Sequence, residues 1–172
     1  MSELVPAGRR AVALKNGLDE QRQYVSITID GQMFGIPVLI VHDVLGPQRI
    51  TRVPLAPPAV LGSLNMRGHI VTAVDVRRTL GFAADATSAR MCVVVEHKSE
   101  LYSLAVDSVG EVISLSAGEL VPTPITVAAV WRDVSKGIYR TPEQLLVILD
   151  VARLLAVLAH QDKAGPAQAL AA

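Results

Sequence analysis

The sequence predicts a mostly β protein made of two small, similar units, and three observations support this fold class. First, 172 residues with 51% hydrophobic content are enough to bury a sizeable core. Second, Val, Ile and Leu crowd the candidate strands while aromatic residues make up only 3% of the chain, so that core is aliphatic. Third, the chain repeats itself. We therefore expect two five-stranded, barrel-like β subdomains packed together, with short helices and a C-terminal helix.

The repeat is clearest at two glycines, Gly62 and Gly137. Each stands thirteen positions before an aspartate, Asp75 or Asp150, and each aspartate opens the pattern Asp-Val-x-Arg-x-Leu. The strand-like segments upstream of the two motifs are also similar. Two copies are too few for a solenoid, so the repeat indicates a pair of small barrels or sheets side by side.

Composition sets the expected limits of the ordered domain. The ends of the chain lack sustained hydrophobic periodicity and are rich in Ala, Gly and charged residues, which is typical of loose tails. The predicted units are a flexible tail at 1–21, a folded domain at 22–162 with a first barrel at about 22–82, a second barrel at about 90–150 and a helix at about 150–161, and a flexible tail at 163–172.

The first strands follow from alternation and turn residues. Residues 24–29 alternate apolar and polar side chains, the period of a half-buried strand, and Asp30-Gly31 predicts a hairpin turn after them. The return strand is expected over residues 33–41, where Pro37 restricts it to a sheet edge or a bulge.

Shorter elements complete the first half of the chain. They are, in order, a strand at 50–53 ended by Pro54, a helical turn at 57–61 ended by Gly62, a hairpin at Arg67-Gly68, a strand at 70–74, and a short helix capped by Asp75 and ended by Gly81.

The second half repeats this plan after a small, polar link at 83–89. Strands are predicted at 91–95, 101–106, 111–115 and 145–149, with weaker ones at 130–134 and 137–140 and an extended connection at 121–124. Asp150 then caps a helix whose apolar side chains fall on one face, which predicts packing onto the barrels. These side chains are Val151, Leu154, Leu155 and Leu158.

Charge and cysteine content exclude several classes of function. The net charge is zero, which argues against a nucleic-acid partner because phosphate binding favours a basic surplus. The single cysteine, Cys92, lies in an apolar run and is expected to be a buried small hydrophobe. With a single cysteine, no disulfide can form within the chain. The sequence also has no uninterrupted apolar span of about 20 residues, the length expected of a membrane-spanning helix. We expect a soluble, cytoplasmic protein.

No pattern in the sequence resembles a catalytic or cofactor site. His42, His69, His97 and His160 are far apart, without other ligands at metal-binding spacing. The best acid–base candidates are Asp75 and Asp150, but each stands where a strand meets a helix and is more simply a cap. We therefore expect no enzyme activity, no cofactor and no metal site.

Arg67 is the exposed residue with the clearest binding potential. It stands in a tight hairpin and offers five donors in a planar fork to a carboxylate or carbonyl of a partner. A solvated hairpin arginine is the other interpretation.

Residues 62–68 (Gly-Ser-Leu-Asn-Met-Arg-Gly) followed by 74–77 (Val-Asp-Val-Arg) resemble the Gly-x-x-Asn-Leu-Arg-Gly … Val-Asp-Leu-Arg signature of CheW-type chemotaxis coupling proteins. Residues 34–37, 41–44 and 50–54 follow the order of that family, as do 105–109 and 145–150. The resemblance covers roughly residues 22–158.

The resemblance implies two five-stranded, SH3-like barrels and a scaffold without catalysis. Members of the family bridge the cytoplasmic tips of methyl-accepting chemoreceptors and the regulatory domain of the histidine kinase CheA in signalling arrays. The family's receptor-binding face corresponds here to Val41, Asp43, Gly62, Asn65, Met66 and Arg67. Three departures stand out: Asp43 replaces a usual Glu, His42 replaces a common Gln, and residues 141–144 replace a frequent Asp-Gly hairpin in the second half.

Two alternatives stay open. One is a CheW-like adaptor of a non-flagellar chemosensory pathway, which the sequence does not separate from a flagellar one. The other is an enzyme or ligand-binding module built on small barrels, suggested only by apolar space and the two strand-end aspartates.

Overall fold

The computed structural model describes residues 20–83 and 90–169, with side chains as far as His160. Ten strands form the framework: β1 (Gln21–Ile29), β2 (Gln32–Pro37), β3 (Val41–Leu45), β4 (Val60–Met66), β5 (His69–Asp75), β6 (Met91–His97), β7 (Glu100–Val106), β8 (Ser108–Ser116), β9 (Ser135–Arg140) and β10 (Leu145–Leu149). Within these described residues, three α-helices accompany them: α1 (Val76–Thr79), α2 (Ala129–Asp133) and α3 (Val151–Ala169).

The strands form two five-stranded sheets, which confirms the predicted fold class. The first sheet has the order β8-β1-β2-β10-β9, and the second has the order β3-β6-β7-β5-β4. The strands predicted at 24–29, 70–74, 91–95, 101–106, 111–115 and 145–149 all lie within these sheets.

The two sheets do not correspond to the two halves of the sequence. β1 and β2 pair with strands from the end of the chain, whereas β3, β4 and β5 join β6 and β7. The expected division into a first barrel at about 22–82 and a second at about 90–150 therefore does not describe the sheets. Each half gives two strands to one sheet and three to the other.

Among the described residues, three apolar clusters form the core of the protein. The largest, the central core, takes side chains from both sheets, including Phe34 and Val147 of the first and Val74 and Leu104 of the second. The helix α3 also packs into it through Val151, Leu154, Leu155 and Leu158, which confirms the predicted apolar face. Smaller clusters lie within each sheet, around Tyr24, Tyr139, Leu146 and Ile148 in the first and around Leu64, Val71 and Ala73 in the second.

The segment after β1 differs from the prediction. The return strand ends at Pro37 and does not continue to Val41, and a 3-10 turn at Val38–Ile40 carries the chain from the first sheet to the start of β3 in the second. β2 is an interior strand, and Pro37 is tolerated because it occupies the last position of that strand.

Other local predictions are also corrected. The helical turn expected at 57–61 is a single hydrogen-bonded turn, in which the Val60 backbone N–H donates to the Pro57 carbonyl at 2.9 Å, and β4 already begins at Val60 and includes Gly62. Residues 50–53 contribute only a single bridge, between Thr51 and Ser63. The weak strand expected at 130–134 is the helix α2, whose Trp131 Nε1 donates to the Leu80 carbonyl at 2.9 Å. The side chains of Phe34 and Phe82 contact the Trp131 ring.

The C-terminal helix is longer than predicted. Its backbone stays helical to Ala169, through Gly165 and Pro166, where the sequence suggested a tail from residue 163. The N-terminal tail as far as residue 19, most of the predicted link, at 84–89, and residues 170–172 lie outside the described residues.

Candidate functional site

The β4–β5 hairpin presents Arg67 to solvent. Arg67 and Gly68 occupy the turn with φ values of 51° and 85°, as expected for a two-residue type I′ hairpin turn. The Asn65 side-chain oxygen accepts a hydrogen bond from the Gly68 backbone N–H at 2.9 Å. Asn65 therefore fixes the turn that carries the arginine, while the guanidinium itself stays exposed.

Gly62 lies three residues before Asn65 and is buried. Its φ is 144°, and a Cβ atom added there would lie 2.1 Å from the Thr51 carbonyl oxygen. That close approach allows Thr51 and Ser63 to exchange two backbone hydrogen bonds of 2.8 Å. Gly62 thus shapes the edge of the second sheet through its main chain.

The remaining predicted receptor-binding residues are only partly accessible or lie elsewhere on the same sheet. Met66 is half-buried against the apolar cluster of the second sheet. Val41 and Asp43 lie on β3, the opposite edge strand, with a register irregularity between them. Asp43 accepts a hydrogen bond from the Val44 backbone N–H at 2.8 Å, and Val41 packs against the central core.

Both strand-end aspartates are helix caps, as predicted. Asp75 accepts a hydrogen bond from the Arg78 backbone N–H, and Asp150 accepts one from that of Arg153, each at 3.2 Å. Asp75 also forms an ion pair of 2.8 Å with Arg90. These contacts stabilise the two strand–helix junctions.

An ion triad around the buried Arg77, with an exposed Asp30 and a half-buried Asp107, joins distant parts of the chain. One guanidinium nitrogen lies 2.7 Å from Asp107 and another lies 2.7 Å from Asp30, in the β1–β2 turn. Desolvation lowers the pKa of Arg77, but hydrogen bonds and charges from Asp107 and Asp30 outweigh it, so the pKa is raised above its ordinary value. Sequence reasoning missed this triad, because nothing local to Arg77 points to its two partners.

The other candidate chemical groups have structural surroundings. Cys92 is buried in β6, as predicted. His42 lies 2.9 Å from Glu96 on the neighbouring strand. Within residues 20–83 and 90–160, no three His, Cys, Asp or Glu side chains are grouped closely enough to bind a metal ion.

Among the helices in the part of the chain that the structure describes, none has the length and apolar character needed to cross a membrane.

A second exposed feature lies against the first sheet. Leu39, in the 3-10 turn between β2 and β3, is 99% exposed. It borders a cavity of about 440 Å³. Other residues lining the cavity include Arg22, Tyr24, Pro37, Leu120 and Lys136. Sequence reasoning did not single out Leu39, because it falls within the return strand predicted at 33–41, where an apolar side chain is equally compatible with burial.

The comparison with known proteins gives a consistent result. The model of the CheW-like domain family matches residues 23–159. A chemotaxis protein CheW of Rhizobium meliloti (strain 1021) is 26% identical over 140 residues, which cover 81% of this chain and 90% of that protein. A chemotaxis protein CheW of Helicobacter pylori (strain ATCC 700392 / 26695) is 27% identical over 80% of this chain and 83% of that protein.

A solved structure agrees with these sequence matches. The crystal structure of the scaffolding protein TtCheW from Thermoanaerobacter tengcongensis superposes with a TM-score of 0.70 at 25% sequence identity. The superposition covers 76% of this chain and 89% of that one.

Proposed function

Because the chain belongs to the CheW-like domain family, we propose that it is a non-catalytic chemotaxis coupling protein that joins chemoreceptor tips to the histidine kinase CheA. The observation that carries the proposal is the family match over residues 23–159, which is most of the chain. Relatives named as chemotaxis proteins and a solved scaffolding protein of the same fold support the same role.

A scaffold of this kind needs two separate binding surfaces, and the exposed residues offer two. We assign the chemoreceptor to the second sheet, at Arg67 and the residues that surround or shape its hairpin, with Val41 and Asp43 contributing from the opposite edge. We assign the kinase regulatory domain to the cavity beside Leu39, which lies against the first sheet. Because the Arg67 hairpin lies on the second sheet and the Leu39 cavity lies against the first, we expect both partners to bind together at these two places.

The proposal places the protein in the cytoplasm, where receptor tips and kinase meet. It also leaves the two aspartates without a chemical role, since Asp75 and Asp150 are both engaged as helix caps. A CheW-like adaptor of a non-flagellar pathway uses the same two surfaces, and the identity of its receptors would separate the two cases.

The test is assembly of a three-component complex from purified protein, a receptor cytoplasmic fragment and the kinase regulatory domain. Arg67→Glu reverses the charge offered to the receptor, so we expect at least about tenfold weaker receptor binding. Kinase binding and thermal unfolding should stay unchanged, because Arg67 is exposed. Isothermal titration calorimetry measures both affinities.

The matched control is Arg140→Glu, an equally drastic charge reversal at an exposed residue of the first sheet. It should leave receptor binding within about twofold of the unmodified protein. Failure of the three components to assemble would refute the adaptor function. A parallel loss of folding in Arg67→Glu would show instead that the residue is structural.

A further inference from the structure

Ile70 is the most exposed apolar residue of the β4–β5 hairpin. It is 80% exposed although β5 lies in the interior of the second sheet, between β7 and β4. Its cross-strand partner is Asn65, the residue that fixes the Arg67 turn. Paired residues of antiparallel strands share a face, so Ile70 lies on the same face as Asn65.

An acidic residue flanks Ile70 on its other side. β5 and β7 run parallel, with Thr72 opposite Tyr102. Two residues earlier on each strand, Ile70 and Glu100 both line a shallow cavity of about 360 Å³. Its other lining residues are His69, Thr72, Ser99 and Leu101.

The carboxylate of Glu100 is held in place. The Tyr102 hydroxyl donates to Glu100 Oε2 at 2.9 Å. Desolvation, then the hydrogen bond and charge of Glu100, raise the pKa of Tyr102 above its ordinary value, so the hydroxyl, already protonated at neutral pH, stays a donor further into alkaline pH. An exposed carboxylate with a fixed orientation can recognise a cation on a partner at a lower entropic cost.

The face of the second sheet that carries Ile70 continues into the central core at its other end. Further along β5 on this face, Val74 is fully buried in that core, and so is Leu104 on β7. Thr72 and Tyr102 are half-buried, and at Ile70 the face reaches solvent. An apolar side chain at this position therefore offers a partner an extension of the surface that the protein buries itself.

We propose that Ile70 is the apolar anchor of the chemoreceptor-binding surface, with Arg67 on one side and Glu100 on the other. The inference rests on the proposed function and names the chemistry of the receptor segment. That segment is an α-helix with an acidic residue facing Arg67, an apolar residue on Ile70 and a basic residue facing Glu100. The adjacent strands β5 and β7, which carry Ile70 and Glu100, lie about 4.8 Å apart, close to the roughly 5–6 Å between helix residues at i and i+4.

The test compares two exposed isoleucines. Ile70→Ser should weaken binding of the receptor cytoplasmic fragment at least about tenfold in calorimetry, while Ile125→Ser, at an isoleucine that is 85% exposed elsewhere, should change it less than about twofold. Glu100→Lys should also weaken binding and reduce its dependence on salt. Kinase-domain binding should be unchanged in all three variants, and thermal unfolding should be unchanged in the two serine variants.

The outcomes separate this inference from the proposed function. If Arg67→Glu loses the receptor but Ile70→Ser binds as well as Ile125→Ser, the apolar anchor is wrong and the adaptor function stands. If Glu100→Lys binds normally while Ile70→Ser does not, the basic residue assigned to the receptor is wrong. If the unmodified protein does not bind the receptor fragment, both proposals fail.

Discussion

Two tyrosines form the polar centre of the apolar cluster in the first sheet. Tyr24 and Tyr139 are both buried, their hydroxyl oxygens are 3.3 Å apart, and their ring centroids are 5.7 Å apart. Desolvation is the main cause that raises the pKa of Tyr139, with a further contribution from its hydrogen bond to Tyr24. The folded state therefore favours the neutral phenol.

This burial predicts a loss of stability in alkali. The unfolded Tyr139 phenol has an ordinary pKa of about 10, and the folded value is higher, so its contribution is fully present below pH ~10 and is lost as pH rises toward the folded value. We expect the free energy of unfolding to fall by up to about 1.4 kcal/mol per pH unit in this range. Urea unfolding of the unmodified protein and Tyr139→Phe tests this, because the variant should show a shallower decline. Equal slopes would contradict the assignment.

Residues whose roles depend on local sequence were predictable. Asp75 and Asp150 precede helix starts and cap them, and Cys92 sits in an apolar run and is buried. The partners of Arg77 were not predictable, since Asp30 and Asp107 approach it only after the sheets form. At the candidate site, the resemblance to the family motif gave Arg67 and Gly62 the same expected role in receptor binding. The structure distinguishes them, because Arg67 is exposed and Gly62 is buried.

At the level of elements, the sequence repeat is also a structural repeat. Gly137 in β9 has φ 150°, and a Cβ atom there would lie 2.6 Å from the Val121 carbonyl oxygen. Val121 and Ile138 exchange two backbone hydrogen bonds, as Thr51 and Ser63 do beside Gly62. Each glycine thus lets a loop segment, at Thr51 or Val121, pair with an edge strand, β4 or β9. The paired segment restricts access to that edge.

We expect Gly62→Ala and Gly137→Ala each to lower the free energy of unfolding by at least about 2 kcal/mol. The added methyl group meets backbone atoms, and both φ values are unfavourable for alanine. Gly46→Ala is the matched control, because its Cβ would have no atom within 4 Å and its φ is not in the positive region. It should change stability by less than about 0.5 kcal/mol. Chemical denaturation measures all three, and similar values would show that the close approaches do not matter.

Strands with clear patterns were predictable, and elements fixed by distant contacts were not. β1, β6, β7 and β10 follow from alternating or continuous apolar residues. The segment around Trp131 is rich in Val and fits a strand equally well by composition, but the ring packs against Phe34 and Phe82 and the segment is helical. Tertiary packing decides the conformation there.

The two halves of the chain contain equivalent strands in the same order, and they exchange strands to form the two sheets. Each strand has a counterpart in the other half: β1 corresponds to β6, β2 to β7, β3 to β8, β4 to β9 and β5 to β10. Replacing every strand of the first sheet by its counterpart gives the strand order of the second sheet. The repeat therefore predicts two equivalent sheets. It cannot predict which half supplies each strand, because local and exchanged pairing would satisfy the same hydrophobic pattern, as in domain-swapped proteins.

This exchange predicts that neither half folds alone. Among the described strands, four of the eight pairings join the two halves: β1–β8, β2–β10, β3–β6 and β5–β7. A protease site in place of residues 84–89 allows the chain to be cut between the halves after folding. The cut halves should elute together at the size of the intact protein and unfold together, whereas each half expressed alone should show no cooperative transition in denaturant, because both of its sheets lack strands. Cooperative unfolding of an isolated half would contradict the exchanged topology.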